Sequence, residues 1–480
     1  MRRIAVAFLG SGFGWRYFIL IACGWPILLP IAAAQSDTPA LPVPGQISEI
    51  TCQSDRSQSY ALYLPSTYTS AKRWPFVYFF DPGGRGRRPL ELYKSIAEKY
   101  GWIFAGSNNS RNFSAEQAAS VNAIWLDTHL HLALDEQRIF ASGFSGGARV
   151  AGAMALSCPQ CHMAGIIAFG AGYPTNQRDS KDNLLYLFGV GDRDFNWPEV
   201  AMIRRQREDR GQPYRVRVFS GSHQWPPPDV MDDAIQWLTL KAMQQKLLPP
   251  DRTFIDDRFR QIQSELQGAR KSGDSIAQLA AYRSLCSDFN GLKDVAEFTK
   301  DLAILKKSAE LRKALKTEQQ TIEEQYAIER DISPKLHAYV DGSAPDPNEL
   351  RLSIVQAMSA LKNRAEHSKD ERNRLIYARA FEDMRVEGIE NGQQELEAGH
   401  FAKAESCFEL MSQISDDAWP FLLLAETHAA SGDSRRAMRA LADAVRHGLK
   451  NAETLASDPR LQVLKSDPAF QKLLTDLKQP

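Results

Sequence analysis

Residues 138–156 read RIFASGFSGGARVAGAMAL, and their pattern is the clearest indication of the fold class. Its first five residues are mostly apolar and suit a short buried strand. A Gly-Phe-Ser-Gly-Gly turn follows at residues 143–147, and the apolar spacing from Ala148 onward is helical. A strand, a tight glycine-rich turn and a helix in direct succession predict an α/β sheet whose edge carries Ser145 at the tip of the turn.

The sequence on both sides of this stretch alternates short β-branched or aromatic runs with helical stretches, from about residue 46 to residue 247. This alternation predicts βαβ units and a mostly parallel sheet flanked by helices. The predicted strands are residues 60–64, 76–80, 102–106, 138–142, 164–169, 184–189 and 214–219. The predicted helices are residues 90–100, 115–134, 148–156, 198–206 and 230–245.

The second half of the chain is predicted to be all helical. Leu247-Leu248-Pro249-Pro250-Asp251 interrupts the last helix of the α/β domain, and no strand-like run follows it. A second interruption, DGSAPDP at residues 341–347, separates helical regions at residues 252–340 and 348–476. A chain of 480 residues exceeds what one hydrophobic core usually organises, so several domains are expected.

An internal repeat lies in the last hundred residues. Residues 398–401 (AGHF), with Ala404 and Phe408, recur 33 residues later as residues 431–434 (SGDS), with Ala437 and Leu441. This spacing resembles tetratricopeptide helix pairs, which repeat about every 34 residues, over residues 391–447. The alternative is a set of ordinary helical hairpins. The resemblance implies a surface for a protein partner.

The N-terminus is typical of an export signal. Arg2, Arg3 and Arg16 precede an apolar run at residues 17–31, and three alanines follow it. This pattern predicts a signal peptide over residues 1–34 and a periplasmic or secreted protein. The alternative is a lipoprotein anchored at Cys23, because residues 20–23 (LIAC) resemble a bacterial lipobox. The apolar run is short for a membrane span, which takes about 20 residues.

The charge of the chain excludes one class of partner. The formal net charge is +0, and the predicted signal removes three arginines and no acidic residue. A slightly acidic mature chain lacks the basic surface that nucleic-acid binding requires.

The cysteines are too few for a disulfide scaffold, although export permits an isolated bridge. Residues 158–162 read CPQCH, which matches the CxxCH signal of c-type haem attachment. They fall in a short connection between a helix and a core strand, which leaves no space for a haem. A disulfide between Cys158 and Cys161, or two buried thiols, is expected instead. No second ligand pair accompanies them as a zinc site would need, so neither metal nor cofactor is predicted.

Ser145 needs a base, because a serine hydroxyl is a poor nucleophile unless its proton is taken. His223 lies in FSGSHQW (219–225), directly after the last predicted strand and before the last helix of the domain. His162 lies before any candidate acid. In α/β folds that carry the nucleophilic serine on such a turn, the three catalytic residues follow the chain order serine, acid and histidine. His223 is therefore the predicted base.

The acid that orients the base is expected at the end of the preceding strand. The segment VGDRDFNWP (190–198) offers Asp192 and Asp194. Asp194 is preferred because Pro198 follows four places on, as in the GxxDxxVP pattern of such turns, and Asp192 lacks that proline. The other aspartate would then be a turn or helix-cap residue.

Backbone N–H groups are needed to stabilise the negative oxygen that forms in acyl transfer. Gly146, the residue after the nucleophile, is predicted to supply one. Gly83 and Gly84, in the loop DPGGRG (81–86) that follows an early strand, are predicted to supply the other. The loop lacks the Gly-Lys-Ser/Thr ending of a phosphate-binding P-loop.

Substrate contacts are predicted in two places. The stretch SNNSRN (107–112) follows the third predicted strand, at the carboxyl edge of the sheet where ligands bind in open α/β folds. It offers Asn108, Asn109 and Arg111. Trp225 is predicted to line the pocket because it lies close to His223.

These motifs together resemble a family. Residues 60–65, the lead-in at residues 135–138, the Gly-x-Ser-x-Gly turn and the Ser-His-Gln-Trp turn resemble secreted bacterial polyhydroxybutyrate-depolymerase-like and feruloyl-esterase-like hydrolases of the α/β-hydrolase type. The resemblance covers about residues 46–246 and not the helical half. The chain carries Asp81-Pro82-Gly83-Gly84 where those enzymes usually have a His-Gly turn.

The resemblance implies an exported enzyme that cleaves a small-molecule or polymeric carboxylic ester through an acyl-enzyme on Ser145. The same arrangement serves peptidases and lipases, so the bond cleaved stays open. The alternative function is a helical-repeat adaptor with a catalytically silent hydrolase domain, which the unusual turn at residues 81–84 motivates.

Overall fold

The computed structural model describes residues 42–158, 160–172 and 184–478. The predicted signal peptide and Cys23 lie outside the described residues. Among the described residues, no helix is long and apolar enough to cross a membrane.

An eight-stranded sheet forms the first part of the described chain. Its strands follow the order β1-β2-β4-β3-β5-β6-β7-β8, with β1 and β2 antiparallel to their neighbours and the other pairs parallel. The strands are β1 (Ile47–Thr51), β2 (Ser59–Tyr63), β3 (Trp74–Phe80), β4 (Ile103–Ser107), β5 (Leu134–Phe144), β6 (Gly165–Phe169), β7 (Leu185–Gly191) and β8 (Tyr214–Phe219).

Five helices cover both faces of this sheet, which buries the apolar strands as parallel sheets require. They are α1 (Arg87–Tyr100), α2 (Gln117–His131), α3 (Gly146–Ser157), α4 (Trp197–Asp209) and α5 (Pro228–Gln244). Helices α2, α3 and α4 pack on one face, and α1 and α5 pack on the other. The predicted fold class of this part, a mostly parallel sheet flanked by helices, is confirmed.

The sequence reasoning missed β1 and shortened β5. The β1 strand ISEIT lies at the sheet edge with no fully buried residue, so it lacks the apolar run that marked the other strands. The β5 strand begins at Leu134, where a helix was predicted to end, because the partly exposed residues 135–138 carry no strand-like pattern of their own.

A large helical region follows β8 and α5, as predicted. Its helices are α6 (Arg252–Ser272), α7 (Ser275–Asp288), α8 (Ala296–Lys307), α9 (Ala309–Asp341), α10 (Pro347–His367), α11 (Glu371–Glu397), α12 (Phe401–Ser412), α13 (Trp419–Ala430), α14 (Ser434–Arg446), α15 (Ala452–Ser457) and α16 (Pro468–Asp476), with a 3₁₀ helix at Pro459–Leu464. Asp251 caps α6 by accepting the N–H of Phe254 at 3.0 Å.

The repeat residues lie on α12 and α14 and in the turns that precede these two helices. Gly399 and Gly432 end turns between helices with positive φ angles of 76° and 83°. Ala404 and Ala437 are fully buried, so α12 and α14 can approach their neighbours closely. The tetratricopeptide character of this region stays a prediction.

Buried ion pairs join the helical region to the sheet. Asp233 of α5 accepts hydrogen bonds from Arg215 of β8 at 2.6 and 2.7 Å and from Arg258 of α6 at 2.9 Å. Burial would raise the pKa of Asp233, but the charges of Arg215 and Arg258 outweigh it and hold that pKa below its usual range. Removing one partner from such a group typically costs about 3 to 5 kcal/mol.

Candidate active site

Ser145 lies in the sharp turn between β5 and α3, with φ 54° and ψ −124°. A positive φ is costly for a residue with a Cβ and is found mainly where the surrounding structure enforces it. The flanking glycines allow the turn: a Cβ on Gly143 would lie 2.2 Å from the carbonyl oxygen of Gly147, and a Cβ on Gly147 would lie 2.0 Å from that of Phe80. The strand, turn and helix therefore pack too closely for side chains at either position.

A continuous hydrogen-bonded array runs from Ser145 through His223 to Asp194. The Nε2 atom of His223 lies 2.8 Å from Oγ of Ser145, and Nδ1 lies 3.0 Å from Oδ1 of Asp194. Asp194 is fully buried, and the His223 side chain is 9% exposed. The rings of Phe144 and Phe195 lie 4.5 and 4.3 Å from the imidazole. The three polar side chains follow β5, β7 and β8, whose carboxyl ends meet at one edge of the sheet.

Asp192 and Asp194 have different partners. Besides His223, Oδ1 of Asp194 accepts the backbone N–H of Asn196 at 2.9 Å. Asp192 instead accepts the backbone N–H of Gly221 at 3.0 Å. Asp192 thus ties the acid turn to the loop that carries His223, without a hydrogen bond to the imidazole.

The predicted oxyanion donors differ in their surroundings. Gly146 begins α3, where its N–H has no acceptor within the helix. The N–H of Gly83 donates to Oδ1 of Asp81 at 2.8 Å, and the N–H of Gly84 donates to the carbonyl of Asp81 at 2.9 Å. Both N–H groups of the predicted loop are therefore already bonded.

Trp225 holds that same loop in place. It is buried, 6% exposed, and its Nε1 donates to Oδ2 of Asp81 at 2.9 Å. Its ring packs among Phe79, Tyr93 and Phe144. The structure places Trp225 in the core and not on the wall of the cavity beside Ser145. Burial removes the large apolar ring from water, which stabilises the fold.

The three residues predicted at positions 108–111 also bond within the protein. Oδ1 of Asn108 accepts the N–H of Gly86 at 3.2 Å, and Oδ1 of Asn109 accepts the N–H of Ser59 at 2.9 Å. Arg111 forms an ion pair of 3.3 Å with Glu397 of α11. None of these three belongs to the described residues that line the cavity.

A cavity of about 860 Å³ opens beside Ser145. One wall is α3, another is the loop after β4, and a third is α11 of the helical region. The residues that line it include Asn112, Phe113, Ser145, Gly146, Arg149, Val150, Met154, Phe195, Asn196, Asp383, Val386, Glu387, Glu390 and Asn391. Sequence reasoning missed the contribution of α11, because no local pattern links it to a turn so far back along the chain.

The wall formed by α11 is acidic. Glu387 and Glu390 face the cavity with Asp383, while Arg149, which also lines the cavity, is held by Glu199 through two contacts of 2.9 Å. Burial raises the pKa of Glu390. Burial and the neighbouring carboxyl of Glu329 raise that of Asp383, so it holds a proton more readily than an exposed aspartate.

Helices of the second half also hold the acid turn. Nε of Arg379 on α11 donates to the carbonyl of Asp192 at 2.7 Å, and its guanidinium lies 4.0 Å from the centre of the Trp197 ring. Gln325 of α9 donates to the carbonyl of Phe195 at 3.0 Å. Both bonds fix the backbone on either side of Asp194.

Arg379→Met is expected to lower kcat about tenfold, because the turn that holds Asp194 loses a charged anchor while His223 and Ser145 stay unchanged. Arg372→Met is the matched control: Arg372 lies on the same helix and contacts Thr321 and Glu324 of α9, not the acid turn. Ester hydrolysis of both variants would be compared at equal folded concentration. Equal rates for the two variants would contradict the role assigned to Arg379.

Cys158 and Cys161 form a disulfide just after α3. Of the two alternatives predicted for the CPQCH segment, a disulfide and a pair of buried thiols, the structure shows the disulfide. Cys158 also lines the cavity. Cys52, Cys286 and Cys407 are free.

Neither a protein-family model nor a curated protein matches the sequence. Several solved structures show a distant likeness. A ferulic acid esterase shares 13% identity at a TM-score of 0.31, covering 40% of this chain and 93% of its own. An S-formylglutathione hydrolase from Staphylococcus aureus shares 14% sequence identity at a TM-score of 0.33, and the match covers 41% of this chain and 98% of that chain. A thermophilic esterase from Thermogutta terrifontis shares 14% sequence identity at a TM-score of 0.32, and the match covers 43% of this chain and 96% of that chain.

Proposed function

We propose that the chain is a serine hydrolase that cleaves carboxylic esters through an acyl-enzyme on Ser145. The hydrogen-bonded array of Ser145, His223 and Asp194 at the mouth of a cavity is the main support for this proposal. The strained backbone of Ser145 adds to it, because such strain clusters at active sites.

Each residue of the array has one task in the reaction. The hydroxyl oxygen of Ser145 attacks the ester carbonyl carbon while its proton passes to Nε2 of His223. Asp194 accepts a hydrogen bond from Nδ1–H of His223 without taking the proton, which fixes the tautomer and stabilises the imidazolium. The carbonyl oxygen becomes negative and accepts a hydrogen bond from the N–H of Gly146. His223 then returns the proton to the leaving alcohol, and water repeats the sequence to release the acid.

The cavity supports a small, uncharged ester as substrate. Its volume of about 860 Å³ lies within the range of small-molecule sites. Glu387 on its wall would repel a substrate that carries a free carboxylate. Helix α11 covers the approach to Ser145, which favours a compact ester over a polymer chain.

The predicted signal peptide would place this activity outside the cytoplasm. The helical half has a role in this proposal beyond protein binding, because α11 closes the cavity and Arg379 anchors the acid turn. A protein partner on the helices after α11 stays a prediction.

A chain-length series of 4-nitrophenyl esters tests the proposal. The full chain is expected to release one equivalent of 4-nitrophenol rapidly and then turn over more slowly, because an acyl-enzyme accumulates. The acetate, butyrate and octanoate esters would show which acyl length the cavity accepts. Folded wild-type protein that hydrolyses none of them would contradict ester hydrolysis.

A further inference from the structure

The three glycine N–H groups in the loop after β3 are all hydrogen-bonded within the protein. Pro82 has no N–H, and the N–H groups of Gly83 and Gly84 donate to Asp81. The N–H of Gly86 donates to Asn108 at 3.2 Å. Among the described residues that line the cavity beside Ser145, none comes from positions 81–86. The lining of the cavity therefore points to a second donor, beside Gly146, from another part of the chain.

The side chain of Asn112 lies against Gly146. A Cβ built on Gly146 would be 1.9 Å from Oδ1 and 2.8 Å from Nδ2 of Asn112, so the amide covers the residue after the nucleophile. Asn112 lines the same cavity as Ser145. Its Nδ2 carries two hydrogens, and Glu390 lies 3.4 Å away as the acceptor for one.

The backbone around Asn112 is held in place. Its N–H donates to the carbonyl of Pro82 at 2.8 Å, which joins the loop after β4 to the loop after β3. The next residue, Phe113, has a φ of 62°, a conformation that a bulky residue adopts only when its surroundings impose it. The backbone that carries the Asn112 side chain is therefore fixed, which lowers the reorganisation needed when charge develops beside it.

We infer that the side-chain amide of Asn112 is a catalytic residue that donates the second hydrogen bond to the oxyanion. This inference rests on the proposed function. As the bond from Ser145 Oγ to the carbonyl carbon forms, the π electrons move to the carbonyl oxygen and the serine proton moves to His223. Gly146 N–H and Asn112 Nδ2–H then donate to that oxygen. When the intermediate collapses, the C=O bond re-forms and the alcohol leaves with the proton from His223.

The test compares the full-length wild type with Asn112→Ala, Asn112→Asp and Ser114→Ala. Asp has the shape of Asn but no amide donor. Ser114 lies in the same loop, and its hydroxyl accepts the N–H of Glu116. The readouts are kcat and KM for 4-nitrophenyl butyrate and the affinity for phenylboronic acid, whose tetrahedral adduct with serine resembles the intermediate.

Both Asn112 variants are expected to lower kcat by about 10²- to 10³-fold. Their KM should stay within about threefold, and the affinity for phenylboronic acid should fall in parallel with kcat. Ser114→Ala should keep the wild-type kcat and the wild-type affinity for phenylboronic acid. A folded Asn112→Asp that keeps kcat, or that changes KM alone, would overturn the inference and leave the proposed function intact. A folded wild type that neither hydrolyses the ester nor binds the boronic acid would overturn both.

Discussion

Ser145→Ala is expected to lower kcat for 4-nitrophenyl butyrate by about 10⁶-fold, since the acyl-enzyme route needs the hydroxyl and little else remains to catalyse it. Initial rates at equal folded concentration would measure the loss. Alanine keeps the Cβ and the same strained turn, so the thermal unfolding midpoint should hardly change. A Ser145→Ala protein with a rate within about a hundredfold of the wild type would contradict the assignment.

Ser145→Gly serves as a second control. It should be equally inactive, yet more stable than Ser145→Ala by about 1 kcal/mol, because glycine adopts a positive φ without the clash of a Cβ. Denaturant unfolding of the two variants would measure the difference. Equal or lower stability of the glycine variant would contradict the strain argued for this turn.

Asp194→Asn is expected to lower kcat by about 10⁴-fold, because an amide at this position no longer fixes the tautomer of His223 or balances its charge. Asp192→Asn is the matched control, since the amide oxygen can still accept the N–H of Gly221. That variant should retain kcat within about tenfold of the wild type. The two variants would be compared in the same ester assay. A larger loss in Asp192→Asn than in Asp194→Asn would exchange their roles.

Much of the hydrogen-bonded array could be predicted because each of its residues follows a strand. A parallel sheet brings the carboxyl ends of its strands to one edge, so Ser145, Asp194 and His223 meet although they are far apart in sequence. The choice between Asp192 and Asp194 depended on a single proline. The structure adds the distance of 3.0 Å that places Asp194 beside the imidazole.

The surroundings of the array were harder to predict, because they depend on the direction in which groups point. The position of the loop after an early strand suggested that Gly83 and Gly84 donate toward substrate, whereas Asp81 accepts both N–H groups. Adjacency to His223 suggested a pocket role for Trp225, whereas its ring is buried in the core. Asn112 lies in the quoted stretch of residues 107–112, but only its contact with Gly146 distinguishes it from its neighbours.

The helical half shows the same limit. Its helical character was readable from composition, and the fold class is confirmed, whereas the predicted boundary at the Pro249-Pro250 pair stays a prediction. The position of α11 over the cavity was not readable, since it depends on ion pairs and packing between distant segments. Glu390 and Arg379 carry no signal in the sequence that links them to Ser145.

Labelling with a fluorophosphonate probe tests whether Ser145 is the nucleophile of the protein. The full-length wild type is expected to gain the mass of one probe, and peptide mapping should place it on Ser145. Folded Ser145→Ala should gain none. A folded wild type that stays unlabelled, or a label on another residue that persists in Ser145→Ala, would contradict the account.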